Sequence, residues 1–259
     1  MSTENHSKIN YLLQSQPYGT VFLSSWLAME GYSPDLQKRY RNSGWLESVG
    51  TGAMKRFGDA VTVDGAIFAL QNQLKLSVHI GAKSALARLG KSHYLEMGDS
   101  ELLLFGSADE KLPKWFFDYN WGVKIKYNAS GFLPDNLAIE EIEVKNLTVK
   151  ISSPIRAIFE CLYLAPQEQS LMECYELLEG MGNIRPATVQ ELLETCSSVK
   201  VKRLFLFMAE SAGHSWLKHV DMKKVNLGSG KRSIVPQGIY VPKYQITVPK
   251  ELMGNGEDI

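Results

Sequence analysis

Residues 33–45, "SPDLQKRYRNSGW", pack basic and amide side chains between a Ser-Pro start and an Asn-Ser-Gly stop. Ser33 suits a helix N-cap, and Pro34 suits the first helical position, where no amide hydrogen is needed. Helical spacing puts Leu36 and Tyr40 on one inward face and turns Gln37, Lys38, Arg41 and Asn42 away from it. Arg39 is a less favoured candidate, since helical geometry can turn it toward the protein. Taken alone, this helix is equally well explained as a solvated surface and as the part of the protein that touches a target.

The flanking text tips that balance. "SKINYLLQS" (7–15) reads as a short helix with Ile9, Leu12 and Leu13 at helical spacing after a Ser7 cap. "PYGTVFLSSWLAMEGYS" supplies a Pro-x-Gly break, a brief apolar run at Val21, Phe22 and Leu23, and a Ser24 or Ser25 cap. A second helix follows, carrying Trp26, Leu27 and Met29, and Gly31 ends it. Beyond Gly44 the period changes: "WLESVGTGAMKRFG" reads as two strands around Gly50-Thr51-Gly52, with Lys55 and Arg56 on the return strand. Helix, helix, turn, basic helix and basic hairpin together make the layout of a winged helix-turn-helix. A helix fits the major groove, where Arg and Lys can read guanine and Gln or Asn can read adenine. On this reading Gln37, Lys38 and Arg41 are the base readers, with Asn42 beside them and Arg39 less favourably turned. Ser33, Lys55 and Arg56 hold phosphates, which fixes register without reading sequence.

Composition bounds the alternatives. The 259 residues are enough for two domains, and their 44% hydrophobic content can fill a sizeable core. No apolar run approaches the length of a membrane span, and "MSTENHSKIN" lacks a signal-peptide pattern, so a cytoplasmic location is expected. Cys161, Cys174 and Cys196 have no C-x-x-C spacing, which argues against a disulfide framework or a zinc site. The net charge of zero conceals segregation: residues 99–199 carry 8 Lys/Arg against 16 Asp/Glu, and residues 200–250 carry 10 against 2. That basic stretch, with Lys200, Lys202, Arg203, Lys223, Lys224, Lys231 and Arg232, is either a second anion-binding surface or one half of an electrostatic clasp with the acidic middle.

The remaining text divides in two. "VDGAIFALQNQLK" (63–75) is an amphipathic helix, "SVHI" a short strand and "GAKSALARLG" another helix, so a first domain closes near residue 96. From residue 97, "ELLLF", "KWFFDYNWGVKIKYN" and "EEIEVKNLTVKIS" suggest a small sheet. "SPIRAIFECLYLA", "QSLMECYELLEGM" and "PATVQELLETCS" read as three helices. "VKVKRLFLFMAESAG" reads as a fourth, although its opening alternation also suits a strand. "LGSGKRSIVPQGIYVPKYQITVP" reads as edge strands or a basic arm. The expected fold is therefore α+β: a winged helix-turn-helix domain over 1–96, followed by a mixed α/β domain over 97–259.

Enzyme readings do poorly against the same text. "FGSADEKLPKWFFDYN" (105–120) resembles a nucleotidyltransferase motif, but Asn120 stands where the second metal-binding carboxylate is needed after Asp118. "GSGKRS" lacks the first glycine of a phosphate loop, and His214 and His219 are five apart, wrong for one helix face. The aromatic cluster Trp115, Phe116, Phe117, Tyr119 and Trp121 is better read as packing than as a base-stacking platform, with one or two exposed rings left open. No catalytic residue, metal or organic cofactor is inferred.

Read from "INYLLQSQPYGTVFLSSWLAMEGYSPDLQKRYRNSGWLESVGTGAMKRFGDAVTVDGAIFALQNQL" onward, the chain resembles the AbiEi family. The likeness continues through "VHIGAKSALARLG", "SSPIRAIFECL", "VKVKRLFLFMAE" and the closing "LGSGKRSIVPQGIYVPKYQITVP". It lies in the order and spacing of these stretches rather than in one short motif. The resemblance implies an antitoxin of a type IV toxin-antitoxin, phage-abortive-infection operon, and not an enzyme. It implies repression of the operon through double-stranded DNA at inverted repeats in the protein's own promoter. It also implies a C-terminal domain that counteracts a nucleotidyltransferase-like toxin without a stable complex.

Overall fold

The computed structural model describes residues 3–91 and 101–253, with side chains from residue 8 onward. The expected boundary near residue 96 lies outside the described residues. Compactness divides the chain into two discontinuous units. One comprises Met1–His79, Gly98–Ala129 and Glu141–Ile151, and the other comprises Ile80–Met97, Ser130–Glu140 and Ser152–Ile259.

The first unit opens with α1 (Thr3–Ser15), β1 (Phe22–Leu23), α2 (Ser24–Met29), α3 (Pro34–Asn42), β2 (Leu46–Gly50) and β3 (Ala53–Arg56). This is the element order of a winged helix-turn-helix, with the three strands paired antiparallel in the order β1-β3-β2. Two local expectations are corrected. Ser7 lies inside α1, which starts at Thr3, so it is not the cap. The residue that caps α2 is Leu23, which makes no side-chain cap bond, so neither Ser24 nor Ser25 fills that role.

Two glycines fix how the helices join. Gly31, at φ +84°, follows α2, while Tyr32 N donates to Leu27 O (2.8 Å) and Gly31 N to Ala28 O (3.1 Å). Gly44, at φ +72°, follows α3 in the same way, with Trp45 N donating to Tyr40 O (2.9 Å) and Gly44 N to Arg41 O (3.1 Å). Both are Schellman closures, which satisfy terminal carbonyls and need a left-handed residue. Ile9, Leu12, Phe22, Leu27, Tyr32, Leu36, Tyr40, Leu46 and Met54 form the core beneath them.

Next come α4 (Val63–Gln73), capped by Thr62, and β4 (His79–Ile80). Two buried glutamines of α4 bond backbone groups in or beside the strands. The Gln73 carboxamide accepts from Leu23 N (2.9 Å) and donates to Val21 O (2.8 Å). The Gln71 carboxamide accepts from Lys150 N (3.0 Å) and donates to Val78 O (2.8 Å). β5 (Glu101–Gly106) and β6 (Lys124–Ala129) run parallel, and the connection between them holds α6 (Lys114–Asp118). "KWFFD" is therefore helical, contrary to its strand-like appearance. The packing reading of its aromatics fits Trp115 and Phe116, which are buried, whereas Phe117 is 47% exposed. A side chain at Gly50 would meet Trp115 Cβ at 2.7 Å, so α6 lies directly on β2. With β7 (Ile139–Val144) and β8 (Leu147–Ser152), these strands form a sheet of order β6-β5-β4-β8-β7.

The second unit holds α5 (Ala82–Arg88), α7 (Pro154–Leu164), α8 (Leu171–Glu179), α9 (Pro186–Thr195) and α10 (Val199–Ser211). Its small sheet pairs β10 (Ile239–Val241), β11 (Ile246–Val248) and β9 (Arg232–Ser233) in that order. "VKVKRLFLFMAES" is thus a helix, because its later residues keep helical spacing and are buried. Helix α7 is central, with nearly every side chain buried. On it, Glu160 (0% exposed) accepts from Ala82 N (2.8 Å), the Ser152 hydroxyl (2.8 Å) and Arg156 Nε (2.9 Å). Arg156 Nη1 donates to the carbonyls of Pro134 and Leu137, each at 2.6 Å.

A buried ion pair is tolerated only while both charges are present, since removing one strands the other at a cost of about 3–5 kcal/mol. Glu160→Ala is accordingly expected to lower unfolding stability by about that amount in a urea titration. The double substitution Arg156→Met with Glu160→Leu should cost less than the sum of the single changes. Strict additivity would show that the two charges do not act as a pair.

Candidate nucleic-acid interface

Helix α3 starts as its sequence dictates: the Ser33 hydroxyl accepts from Leu36 N (3.3 Å), and Pro34 occupies the first turn. Asp35 in the first turn and Arg39 and Arg41 in the last complement the helix dipole. Leu36 and Tyr40 are buried as expected. Gln37 is not an outward reader. It is 3% exposed, and its Nε2 donates to Tyr32 O (2.8 Å) and Ser24 O (3.0 Å). The backbone of the preceding helix and turn occupies the space that helical periodicity had assigned to solvent. Arg39, the less favoured candidate, is exposed.

What remains outside is a stripe of Asp35, Lys38 and Asn42 at i, i+3 and i+7, with Arg39 and Arg41 on its two sides. Ser33 is also exposed. Arg41 Nη1 reaches Met54 Sδ (3.1 Å) and lines a crevice of about 330 Å³ with Ser24, Ser48, Thr51 and the backbone of Gly50 and Gly52. Its position is secured from the wing side, where Ser24 N donates to Gly52 O (2.9 Å). Hydroxyls, a guanidinium and glycine backbone, with no acid among the lining residues, suit an anionic oxygen.

The two wing cations are not free to take that part. Lys55 is half-buried, with its Nζ 2.9 Å from Glu47 Oε1 and donating to Asp59 O (2.8 Å). Arg56 is 5% exposed and faces α1. Its guanidinium donates to the carbonyls of Leu13, Gln16 and Pro17, pairs with Asp59 Oδ2 (3.4 Å) and stacks on Tyr18 (4.2 Å to the ring centre). Helix C-termini leave carbonyls unpaired, and this arginine satisfies those of α1. Sequence reading therefore missed Asp35, Ser24, Ser48 and Thr51. The only textual hints were the spacing of Asp35 to Lys38 and the Gly-Thr-Gly turn.

The basic surface expected in the C-terminal stretch is also divided. Lys202 is buried. Lys200 donates to Tyr163 O (2.8 Å) and Ala165 O at the end of α7, and burial holds its pKa below the usual lysine value. Arg203 is buried and donates to the carbonyls of Leu227 (2.8 Å), Gly230 (2.7 Å) and Gln245 (3.2 Å), tying the small sheet to α10. These three are withdrawn from any surface role. Lys223, Lys224, Lys231 and Arg232 are exposed, with Lys231 Nζ over the Tyr240 ring at 4.8 Å. The two histidines are unrelated to each other: His214 Nε2 is 2.8 Å from Leu178 O and its ring stacks on Trp216, while His219 is exposed.

The whole fold is similar to the crystal structure of the RV2827C protein from Mycobacterium tuberculosis, with a TM-score of 0.58 over 95% of this chain and 91% of that one. At 13% identity the likeness speaks for the fold alone. No curated protein matches the sequence. Residues 5–97 match the family model of the AbiEi antitoxin N-terminal domain, a transcriptional regulator, and residues 99–249 match the model described as transcriptional regulator, AbiEi antitoxin, type IV TA system. The two models meet between residues 97 and 99 and together span almost the full sequence, so the chain belongs to the AbiEi antitoxin family of transcriptional regulators of type IV toxin-antitoxin systems.

Proposed function

We propose that the protein is a sequence-specific autorepressor that lays α3 in the major groove of its own promoter and acts by binding rather than catalysis. The supporting observation is the stripe of Asp35, Lys38 and Asn42, solvent-facing and without side-chain partners among the described residues, next to a crevice suited to one phosphate. Lys38 and Asn42 have the chemistry to meet guanine and adenine edges. Arg41, with the hydroxyls of Ser24, Ser48 and Thr51, holds a backbone phosphate, and Arg39 and Ser33 lie at the flanks for neighbouring ones. The operator is an inverted repeat occupied by two copies, and the antitoxin activity is directed at a nucleotidyltransferase-like toxin without a stable complex.

A mobility-shift titration on the upstream promoter, against a random duplex at moderate salt, tests the central claim. Equal binding of the two duplexes would end it. Lys38→Ala is expected to weaken operator binding by about 1–3 kcal/mol and random binding much less. Arg41→Ala should weaken both, with the slope of log K against log salt reduced by about 0.9.

The internal residues should behave differently. Gln37→Ala and Arg56→Met each leave backbone carbonyls without donors, and each is expected to cost about 1–3 kcal/mol of folding stability. Below the thermal transition, Arg56→Met should leave the salt slope unchanged. A loss of one unit in that slope at full helicity would restore Arg56 as a phosphate contact.

A further inference from the structure

We infer that Asp35 is a specificity-determining residue of this interface and that it selects a cytosine. The inference rests on the DNA-binding reading above and extends it to a residue of opposite charge. Asp35 stands in the first turn of α3, on the same exposed stripe as Lys38 and Asn42. The N-terminal residues of a recognition helix are the ones that reach base edges.

Its local duties are already filled. The cap bond to Leu36 N comes from the Ser33 hydroxyl, and the Asp35 carboxylate has neither a hydrogen bond nor an ion pair among the described residues, even with Lys38 one turn away. It thus enters any complex with its acceptors unused. An anion facing phosphates is repelled, so this side chain cannot serve the backbone positions that Arg39 and Arg41 suit. In the groove the exocyclic amino group of cytosine is a donor without a carbonyl acceptor beside it on the same base, and a carboxylate accepts from it. Guanine offers only acceptors there and repels a carboxylate, which sharpens the choice. The bland role of Asp35, favouring the positive end of the helix dipole, affects stability and carries no base preference.

The decisive experiment is selection of bound duplexes from a random-sequence pool by the full chain, wild type against Asp35→Asn, followed by titration of the recovered duplexes. Wild type should fix one C·G pair in each half-site. A carboxamide can both donate and accept, so Asp35→Asn should convert that position to A·T and lose about five- to hundredfold in affinity for the wild-type duplex. Its binding to a random duplex should stay equal or become tighter. Asp35→Ala should lose the preference without gaining A·T, and matched thermal transitions would confirm that both variants are folded. Identical base preferences in the wild-type and Asp35→Asn pools would overturn the assignment of Asp35 while leaving the repressor reading intact. A wild-type pool without any preference would overturn both.

Discussion

The Gln37 carboxamide is the constraint on which the arrangement of the N-terminal helices and hairpin depends. It donates to the carbonyl of Tyr32 in the turn and to that of Ser24 at the start of α2. One buried side chain thereby ties three consecutive pieces of chain: helix, turn and helix. Because Ser24 N is in turn bonded to Gly52 O of the wing, the same knot locates the hairpin. The outward stripe of α3 and the crevice at Arg41 inherit their geometry from it. Leaving those carbonyls unpaired in a buried site is costly, which gives the angle between the helices a sharp minimum.

A common device runs through both units. Long polar side chains are used as substitutes for backbone. Gln71 and Gln73 each offer a donor and an acceptor to backbone groups in or beside short strands. Arg56, Lys200 and Arg203 satisfy carbonyls at helix ends and in loops. Each of these groups resembles a ligand contact when read in isolation. A cation with carbonyls within 3 Å is already solvated by the protein, and little drive remains for it to seek a phosphate. The residues available for recognition are those that the fold leaves without such employment.

The legible part of the fold was large. The order of elements, the Ser33-Pro34 start, the inward pair Leu36 and Tyr40, and the glycine stops at Gly31 and Gly44 all follow from local rules of capping and periodicity. So do the four C-terminal helices. The errors were of two kinds. "KWFFD" looked like a strand because aromatic content favours strands, and its burial against β2 allowed a helical turn instead. Ser24 looked like a cap because serine suits that role, yet the strand residue before it begins the helix.

The site was less legible, for a physical reason that Gln37 and Arg56 illustrate. Periodicity assigns each residue an angle around a helix axis, and the text of residues 33–45, read with its neighbouring helix and hairpin, was enough to mark α3 as an exposed basic helix in the element order of a winged helix-turn-helix. It does not say how wide an arc the neighbouring backbone covers, and the arc here extends past Leu36 to include Gln37. Nor does local text reveal partners remote in sequence: Arg56 meets the carbonyl of Leu13, 43 residues away. Sequence alone therefore determined which helix is presented. Tertiary structure decided which of its side chains face outward and which cations are spent inside, because both depend on carbonyls brought close only by the folded chain.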